Sequence, residues 1–257
     1  DLFDCEYWSL EQAKLGKGAP PKFQGKIVMI TGGSGTIGFA IAKAFSKLGA
    51  QTILVDKDEI ALKESVAKLG VGHKYFPIDV THSDAANQAM LAAINNFGGL
   101  DILISNAGAA HAGPMLGISN EELRNAFELN FFSHFSFSTE AAKILKDQNR
   151  GGQILFNISK QAVNPGKNFG AYGLPKATTF FLMRQLALEL GSDGIRVNGI
   201  NADRIRSGLL TDDFISSRAK SRGVSESEYM AGNLLNKEVT AEHVADAFTA
   251  LACAEST

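Results

Sequence analysis

Short apolar runs alternate with longer segments of helical periodicity along most of the chain, and this alternation restricts the fold more than any other feature. The first run, residues 26–31 (KIVMIT), is followed by apolar residues at Ile37, Ile41, Phe45 and Leu48, the spacing of one helix face. Buried strands that alternate with helices build parallel sheets with helices on both faces. We therefore predict an α/β fold: a single-domain, doubly wound (Rossmann) parallel sheet of six or seven strands.

The predicted elements continue this alternation to residue 252. Strands are predicted at residues 26–31, 51–56, 73–77, 100–105, 152–158 and 195–201. Helices are predicted at residues 36–48, 59–69, 83–97, 121–146, 172–190 and 241–252, and residues 207–236 are expected to be irregular to helical. We interpret residues 1–25 as an N-terminal linker with a short helix at residues 7–15, and residues 26–257 as one dinucleotide-binding domain that lacks a final strand.

Composition narrows the class of partner. The 257 residues are 45% hydrophobic, which is enough for a sizeable core, and the net charge of −2 argues against nucleic acid or an anionic membrane as a partner. No apolar run approaches the roughly 20 residues of a membrane-spanning helix. Only Cys5 and Cys253 are present, which favours a reducing cytoplasm over a disulfide-bonded secreted protein. We expect a cytoplasmic protein that acts on a small molecule.

A glycine-rich loop, residues 31–38 (TGGSGTIG), joins the first predicted strand to the first helix. Gly32 would permit a tight turn, Gly35 would let the backbone approach a phosphate, and Gly38 would let helix and strand pack closely. The free N–H groups and positive dipole end of the helix would then face a pyrophosphate. The residues of this loop predicted to bind the cofactor are Gly32, Ser34, Gly35, Thr36, Ile37 and Gly38.

An acidic residue at the end of the second strand favours NAD as the cofactor. Asp56 lies 18 residues after Gly38, where a carboxylate can bind both ribose hydroxyls and repel a 2′-phosphate. Lys57 beside it could instead reach a 2′-phosphate, so NADP stays as the less favoured alternative.

The predicted catalytic residues are a tyrosine and a lysine at i, i+4 spacing. Tyr172 and Lys176 share one helix face, and we expect the ammonium to lower the pKa of the phenol so that Tyr172 can exchange a proton with a substrate oxygen. Pro175 between them is expected to lie in the first turn. Ser159, 13 residues upstream, ends a strand and could hydrogen-bond the reacting oxygen. Lys160 would take that position in a different register.

Together these motifs resemble the short-chain dehydrogenase/reductase superfamily over residues 25–253. The resemblance rests on their order and spacing, and includes Asp79-Val80, Asn106-Ala107-Gly108, Asn130 and the run 196–198 (RVN). It implies that Asp79 and Val80 flank the adenine and that Asn106, Ala107 and Gly108 support the central strand and the cofactor. It further implies that Asn130 holds a water that links the active-site lysine to solvent, which makes Asn130, Ser159, Tyr172 and Lys176 the catalytic set.

The chain departs from the family pattern at several positions. Thr36 replaces the usual second loop glycine, residues 202–203 (AD) replace a Pro-Gly pair, and Ser207 stands where a threonine often binds the nicotinamide carboxamide. Residues 7–15, 159–166 and 201–235 resemble a narrower subgroup, the dehydrogenase domain of proteins that fuse it to a class II aldolase, among them rhamnulose-phosphate aldolase/lactaldehyde dehydrogenase. This resemblance implies a covalent N-terminal aldolase domain and a small hydroxylated substrate, with lactaldehyde as one candidate.

Three functions remain open from the sequence: an NAD-dependent alcohol, aldehyde or sugar dehydrogenase, a non-catalytic dinucleotide-binding regulator, and an epimerase or dehydratase that recycles its cofactor. The five histidines are scattered, so no metal site is predicted. The resemblance implies a homodimer or homotetramer formed through the long phenylalanine-rich helix and the helix of Tyr172. The phenylalanines in question are Phe127, Phe131, Phe132, Phe135 and Phe137.

Overall fold

Six parallel strands form one sheet in the order β3-β2-β1-β4-β5-β6. The computed structural model describes residues 20–110, 112–208 and 210–253. The order reverses direction after β1, between β1 and β4, which is where doubly wound sheets bind ligands. The strands are β1 (Ile27–Thr31), β2 (Gln51–Asp56), β3 (Lys74–Pro77), β4 (Ile102–Ser105), β5 (Gly152–Asn157) and β6 (Ile195–Ile200).

Helices connect the strands and cover both faces of the sheet. The first four are α1 (Thr36–Lys47), α2 (Glu59–Leu69), α3 (Ala85–Phe97) and α4 (Asn120–Phe127). Further along the chain are α5 (Ser133–Gln148), α6 (Gly170–Leu190), α7 (Asp212–Arg222), α8 (Glu226–Met230) and α9 (Ala241–Cys253). The predicted doubly wound α/β fold is confirmed, with six strands in the described part of the chain.

Alternate residues of each strand enter two separate cores, because successive side chains of a strand point to opposite faces. On one face Met29 and Phe156 pack with Phe137 from α5. On the other face Ile30 and Leu54 pack with side chains of α1, α2 and α9, namely Ile41, Phe45, Leu62, Val244 and Phe248. Strands β1, β2, β4 and β5 are largely buried on both sides, which explains why they contain continuous apolar runs.

The long predicted helix at residues 121–146 is interrupted by a π-helical turn, Glu128–Phe132, between α4 and α5. Local periodicity does not reveal such a turn, because it shifts the helix face by a single residue. The helix of the predicted catalytic pair also begins at Gly170, two residues earlier than expected. Pro175 therefore lies inside α6 and not in its first turn, so the expectation for Pro175 is wrong. The predicted helix at residues 7–15 lies outside the described residues.

Candidate active site

A cavity of about 980 Å³ opens at the carboxyl ends of the strands. It is lined by every predicted cofactor-binding residue except Ser34, and by three of the four predicted catalytic residues. The fourth, Asn130, is buried and does not line it. One cavity therefore brings together residues spread from Gly32 to Ser207.

The glycine loop has the backbone that a phosphate-binding loop requires. Gly32 adopts a positive φ of 64°, which favours glycine. A Cβ at Gly38 would lie 2.0 Å from the carbonyl oxygen of Gly32, so a side chain there would collide with backbone. Gly35 caps α1 in an extended conformation, and its carbonyl oxygen accepts the first helical hydrogen bond, from Phe39, at 2.8 Å. Although Thr36 replaces the usual second loop glycine, Gly35 and Thr36 both line the cavity, so α1 begins at the cavity wall.

Asp56 is held against the same loop. Its Oδ2 accepts hydrogen bonds from the backbone N–H of Ser34 at 3.2 Å and from the Ser34 hydroxyl at 2.7 Å. Its Oδ1 accepts from the backbone N–H of Lys57 at 2.8 Å, whereas the Lys57 side chain is exposed. The protein therefore fixes the orientation of the carboxylate that is predicted to bind the adenosine ribose.

The end of β4 is tied to the end of β1 through polar groups. The Thr31 hydroxyl accepts from the backbone N–H of Asn106 at 2.9 Å and of Ala107 at 3.0 Å. The Asn106 amide donates to the carbonyl of Thr31, and its oxygen accepts from the Asn157 amide on β5. These bonds fix the strand ends that line the cavity.

Asp79 and Val80, the residues predicted to flank the adenine, both line the cavity. Backbone and hydroxyl hydrogen bonds from Thr81 lower the pKa of Asp79, with desolvation opposing them. Asp79 is therefore a carboxylate at neutral pH. Val80 is 7% exposed and belongs to the core on the α3 side of the sheet.

Tyr172 and Ser159 meet inside the cavity. The Ser159 side chain interacts with the Tyr172 phenol and lowers its pKa, and the Ser159 oxygen accepts from the backbone N–H of Gln161 at 3.2 Å. Lys160 points elsewhere, and its ammonium lies 2.9 Å from Oδ2 of Asp203. Of the two candidates at the end of β5, Ser159 is the one that contacts the phenol.

Lys176 is fully buried beside this pair. Its Nζ donates to the carbonyl oxygen of Asn157 at 2.9 Å, lies 3.3 Å from Nε2 of His134, and is 5.8 Å from the centre of the Tyr172 ring. Burial lowers the pKa of Lys176 to about 7. The ammonium is held by one carbonyl and one imidazole, with no carboxylate among its contacts in the described residues.

The expected lowering of the pKa of Tyr172 by Lys176 is wrong for the protein groups by themselves. Burial raises the pKa of Tyr172, and the interaction with the Ser159 side chain offsets this only in part. Lys176 contributes little because its charge is aimed at Asn157 and His134, and because its own pKa lies near neutrality. Tyr172 is therefore a phenol at pH 7, suited to donate a proton.

Sequence reasoning missed His134. It lies 1% exposed, with Nδ1 2.6 Å from the Ser105 hydroxyl and Nε2 directed to Lys176. Burial lowers the pKa of His134 well below its usual range, and the nearby Lys176 charge lowers it further. A neutral imidazole can accept a hydrogen bond from the ammonium. The signal in the sequence was its i, i+4 spacing from Asn130, which placed it on the same helix face.

Asn130 lies in the π-helical turn and connects three elements. Its side-chain amide donates to the carbonyls of Ala109 and Ala126, and its Oδ1 accepts from the backbone N–H of Ala109 at 3.3 Å. Its backbone carbonyl oxygen accepts from the Thr179 hydroxyl of α6 at 2.7 Å. The side chain therefore holds the loop after β4 against the helices. The predicted role of Asn130 in holding a water stays a prediction.

The remaining wall of the cavity comes from the segment after β6. Ser207 lines it, and its hydroxyl donates to the carbonyl of Ile205 at 3.1 Å. Arg204, Arg218 and Arg222 also line it, and none of them was a predicted site residue.

Two further searches cover the described residues only. No group of three or more histidine, cysteine, aspartate or glutamate side chains there is placed to hold a metal ion. No helix in the same part of the chain is long and apolar enough to span a bilayer.

Comparison with known proteins identifies the family. The profile of the family described as short chain dehydrogenase matches residues 26–214. The uncharacterized oxidoreductase YuxG of Bacillus subtilis is 33% identical over 269 residues, an alignment that covers all of this chain and 39% of YuxG. The secoisolariciresinol dehydrogenase of Forsythia intermedia is 30% identical over 244 residues, covering 91% of this chain and 85% of that protein.

A solved structure gives the same result. A short-chain type dehydrogenase/reductase from Mycobacterium marinum superimposes with a TM-score of 0.80 at 28% identity, over 90% of this chain and 89% of that one. The profile match, the Forsythia relative and the sheet order agree, and the chain belongs to the short-chain dehydrogenase family of oxidoreductases.

Proposed function

We propose that this protein is an NAD-dependent oxidoreductase that moves hydride between nicotinamide and a small hydroxylated alcohol, aldehyde or sugar-derived substrate. The observation that carries the proposal is that Ser159, Tyr172 and buried Lys176 line the same cavity as the glycine loop. The loop suits a dinucleotide because Gly32 and Gly38 let it pack tightly against α1 and the end of β4, which keeps its backbone along the cavity wall.

The cofactor proposal rests on Asp56. An oriented carboxylate binds two ribose hydroxyls and repels a 2′-phosphate, which favours NAD over NADP. Gly32, Gly35 and the start of α1 would hold the pyrophosphate, and Asp79 with Val80 would flank the adenine. Ser207 would contact the carboxamide, and Lys176 would hold the nicotinamide ribose. When bound, the nicotinamide supplies the hydride acceptor or donor.

The protein's own groups handle the proton. In the reducing direction the Tyr172 phenol donates its proton to the carbonyl oxygen as hydride reaches the carbon. In the oxidising direction the phenolate removes the hydroxyl proton as hydride leaves the carbon. Ser159 hydrogen-bonds the same oxygen in both directions. Because burial raises the pKa of Tyr172, we expect oxidation to require a higher pH than reduction.

Aldehyde oxidation through a cysteine adduct finds no support in the described residues. Cys253 ends α9 and does not line the cavity, and Cys5 lies outside the described residues. We therefore propose that an aldehyde such as lactaldehyde would react as its hydrate, through the same tyrosine.

We also propose that the chain acts as the dehydrogenase domain of a protein fused to an aldolase. Its support is the subgroup resemblance together with the alignment to YuxG, of which this chain spans only 39%.

We propose a homodimer or homotetramer because apolar side chains on α5, α6 and the π-helical turn before α5 are partly exposed. The exposed fractions are 46% for Phe132, 44% for Phe135 and 65% for Phe181. Light scattering after size exclusion tests the assembly, and a monomer would contradict it. The low cysteine content supports a cytoplasmic setting.

A panel of alcohols, polyols, aldehydes and ketones, assayed with NAD(H) and NADP(H), tests the main proposal. Net formation or consumption of NADH is expected, and the panel includes lactaldehyde, 1,2-propanediol and hydroxyacetone. Turnover of substrate without net NADH would favour an epimerase or dehydratase. No turnover of any compound, with NADH still bound, would favour a regulator.

A further inference from the structure

Two guanidinium groups on α7 line the cavity without a carboxylate partner in the described part of the chain. Arg218 and Arg222 are one helical turn apart, and neither lies within 4.0 Å of an acidic group there. Asp212 at the start of α7 forms an ion pair with Arg206, which precedes the helix, and not with Arg218 or Arg222.

Arg218 is held in an aromatic environment. Its guanidinium carbon lies 5.4 Å from the centre of the Phe169 ring, and Phe169 contacts Phe214 edge to face at 6.0 Å. The Nε atom of Arg218 is buried and has no hydrogen-bond partner among the described residues. A buried donor on a charged group without a partner is costly, so the position is one that a ligand oxyanion would stabilise.

A second aromatic ring holds the neighbouring arginines. The guanidinium carbons of Arg222 and Arg204 lie 5.1 Å and 4.8 Å from the centre of the buried Tyr229 ring. Arg204 is engaged further, because it donates to the carbonyl of Tyr229 and lies 3.8 Å from Asp203. Within residues 20–110, 112–208 and 210–253, the ring of Tyr229 is the one partner found for the Arg222 guanidinium, so its N–H donors are available to the cavity.

The acids nearby do not balance these charges. Asp203 is paired with Lys160 at 2.9 Å, and Glu228 of α8 accepts hydrogen bonds from Ser225 as part of a helix cap. Glu128 also lines the cavity, but it is not paired with either arginine of α7. The wall formed by α7 and α8 is therefore positive where it meets the substrate end of the cavity.

We propose that Arg218 and Arg222 form a subsite for an oxyanion group, a carboxylate or a phosphate monoester, carried by the substrate. This deepens the proposed function and rests on it, since the subsite lies in the same cavity as Tyr172. Guanidinium groups bind both kinds of oxyanion through paired N–H donors, and the two rings hold the arginines in place. The substrate class is then an acidic hydroxy or carbonyl compound and not a neutral alcohol.

Matched substrate pairs test this subsite. We would compare lactate with 1,2-propanediol, and sorbitol 6-phosphate with sorbitol, in the wild type and in Arg218→Met, Arg222→Met and Lys220→Met. The charged member of at least one pair is expected to be preferred, and the pair that responds tells carboxylate from phosphate. Arg218→Met should raise the KM of that charged member by about tenfold or more, the loss expected for a hydrogen bond to a charged group. Its neutral partner should be unaffected, and exposed Lys220 serves as the control on the same helix.

Three outcomes would overturn the proposal. One is preference for the neutral member of both pairs, and another is an equal effect of Arg218→Met on both members. The third is a comparable loss of NADH affinity in Arg218→Met, which would assign the arginine to the cofactor. Arg218→Lys, which keeps the charge and most of the packing, should recover part of the binding if Arg218→Met folds poorly.

The subsite can be tested even if the proposed reaction fails. Inorganic phosphate and lactate would be titrated by calorimetry into the wild type and Arg218→Met, each saturated with NADH. Binding that Arg218→Met weakens would support the subsite although no compound is turned over. Equal binding to both proteins, or none to either, would contradict the subsite whatever the substrate panel shows.

Discussion

Nζ of Lys176 lies 3.3 Å from Nε2 of His134, and both side chains are buried. We predict that His134→Phe lowers kcat by about tenfold and changes its pH profile, because the ammonium loses an acceptor worth roughly 1.5–3 kcal/mol. His134→Gln, which keeps an acceptor, should recover most of the activity. The measurement is kcat against pH for the three proteins, with NADH binding as the control. An unchanged profile in His134→Phe would assign His134 to packing alone.

Replacing Tyr172 by Phe should remove turnover and leave NADH binding within about twofold, since the phenol carries the proton and contributes little to cofactor affinity. Ser159→Ala should lower kcat by about 100-fold, the usual cost of losing a donor to the reacting oxygen. Steady-state assays measure kcat for both variants, and a fluorescence titration measures their NADH binding. Turnover by Tyr172→Phe near the wild-type rate would exclude the proposed proton transfer.

Asp56→Ala should weaken NAD binding by roughly 10- to 100-fold and improve the relative use of NADP, because hydrogen bonds to the charged carboxylate and its repulsion of a phosphate are both lost. Asp56→Asn separates the two effects, since it removes the charge and keeps an acceptor for Ser34. Initial rates with both cofactors give the ratio of kcat/KM. If neither Asp56→Ala nor Asp56→Asn alters the ratio of kcat/KM for NAD to kcat/KM for NADP, Asp56 does not select the cofactor.

Lys176 should make the stability of the protein depend on pH. Its pKa is about 7 in the folded protein, whereas the ordinary pKa of a lysine is 10.5, so between these values the unfolded chain binds more protons. The free energy of unfolding of the wild type, measured relative to that of Lys176→Met, should therefore increase by about 2 kcal/mol from pH 7 to pH 9. Urea unfolding of both proteins at the two pH values measures this difference. A difference between the proteins that stays constant with pH would contradict the burial of a titrating lysine.

The fold could be predicted because its causes are local. Residues 51–56 and 59–69 are a strand and a helix with the predicted bounds, since buried parallel strands are continuous apolar runs and helices repeat every three to four residues. The π-helical turn at Glu128–Phe132 could not be predicted in this way. It is held by contacts of Asn130 with residues distant in the chain, among them Thr179.

The site was predictable where a motif has fixed spacing, as with Tyr172, Lys176 and the glycine loop. The structure brings these residues into one cavity. Arg218 and Arg222 were beyond reach, because nothing local distinguishes them from the other charges of an exposed helix. Only the tertiary packing against Phe169 and Tyr229 turns them toward the substrate end. The pKa shift of Tyr172 was missed for the same reason, since it depends on burial by many elements.

The packing of α1 also bears on how the site forms during synthesis. The apolar face of α1, which carries Ile41 and Phe45, is covered by Val244 and Phe248 of α9, a helix made about 200 residues later. The glycine loop therefore emerges from the ribosome long before the helix behind it can be buried. At a synthesis rate of roughly 5–20 residues per second, that interval is on the order of 10 to 40 seconds. We therefore expect the glycine loop to bind its dinucleotide only after α9 has been made and has packed against α1.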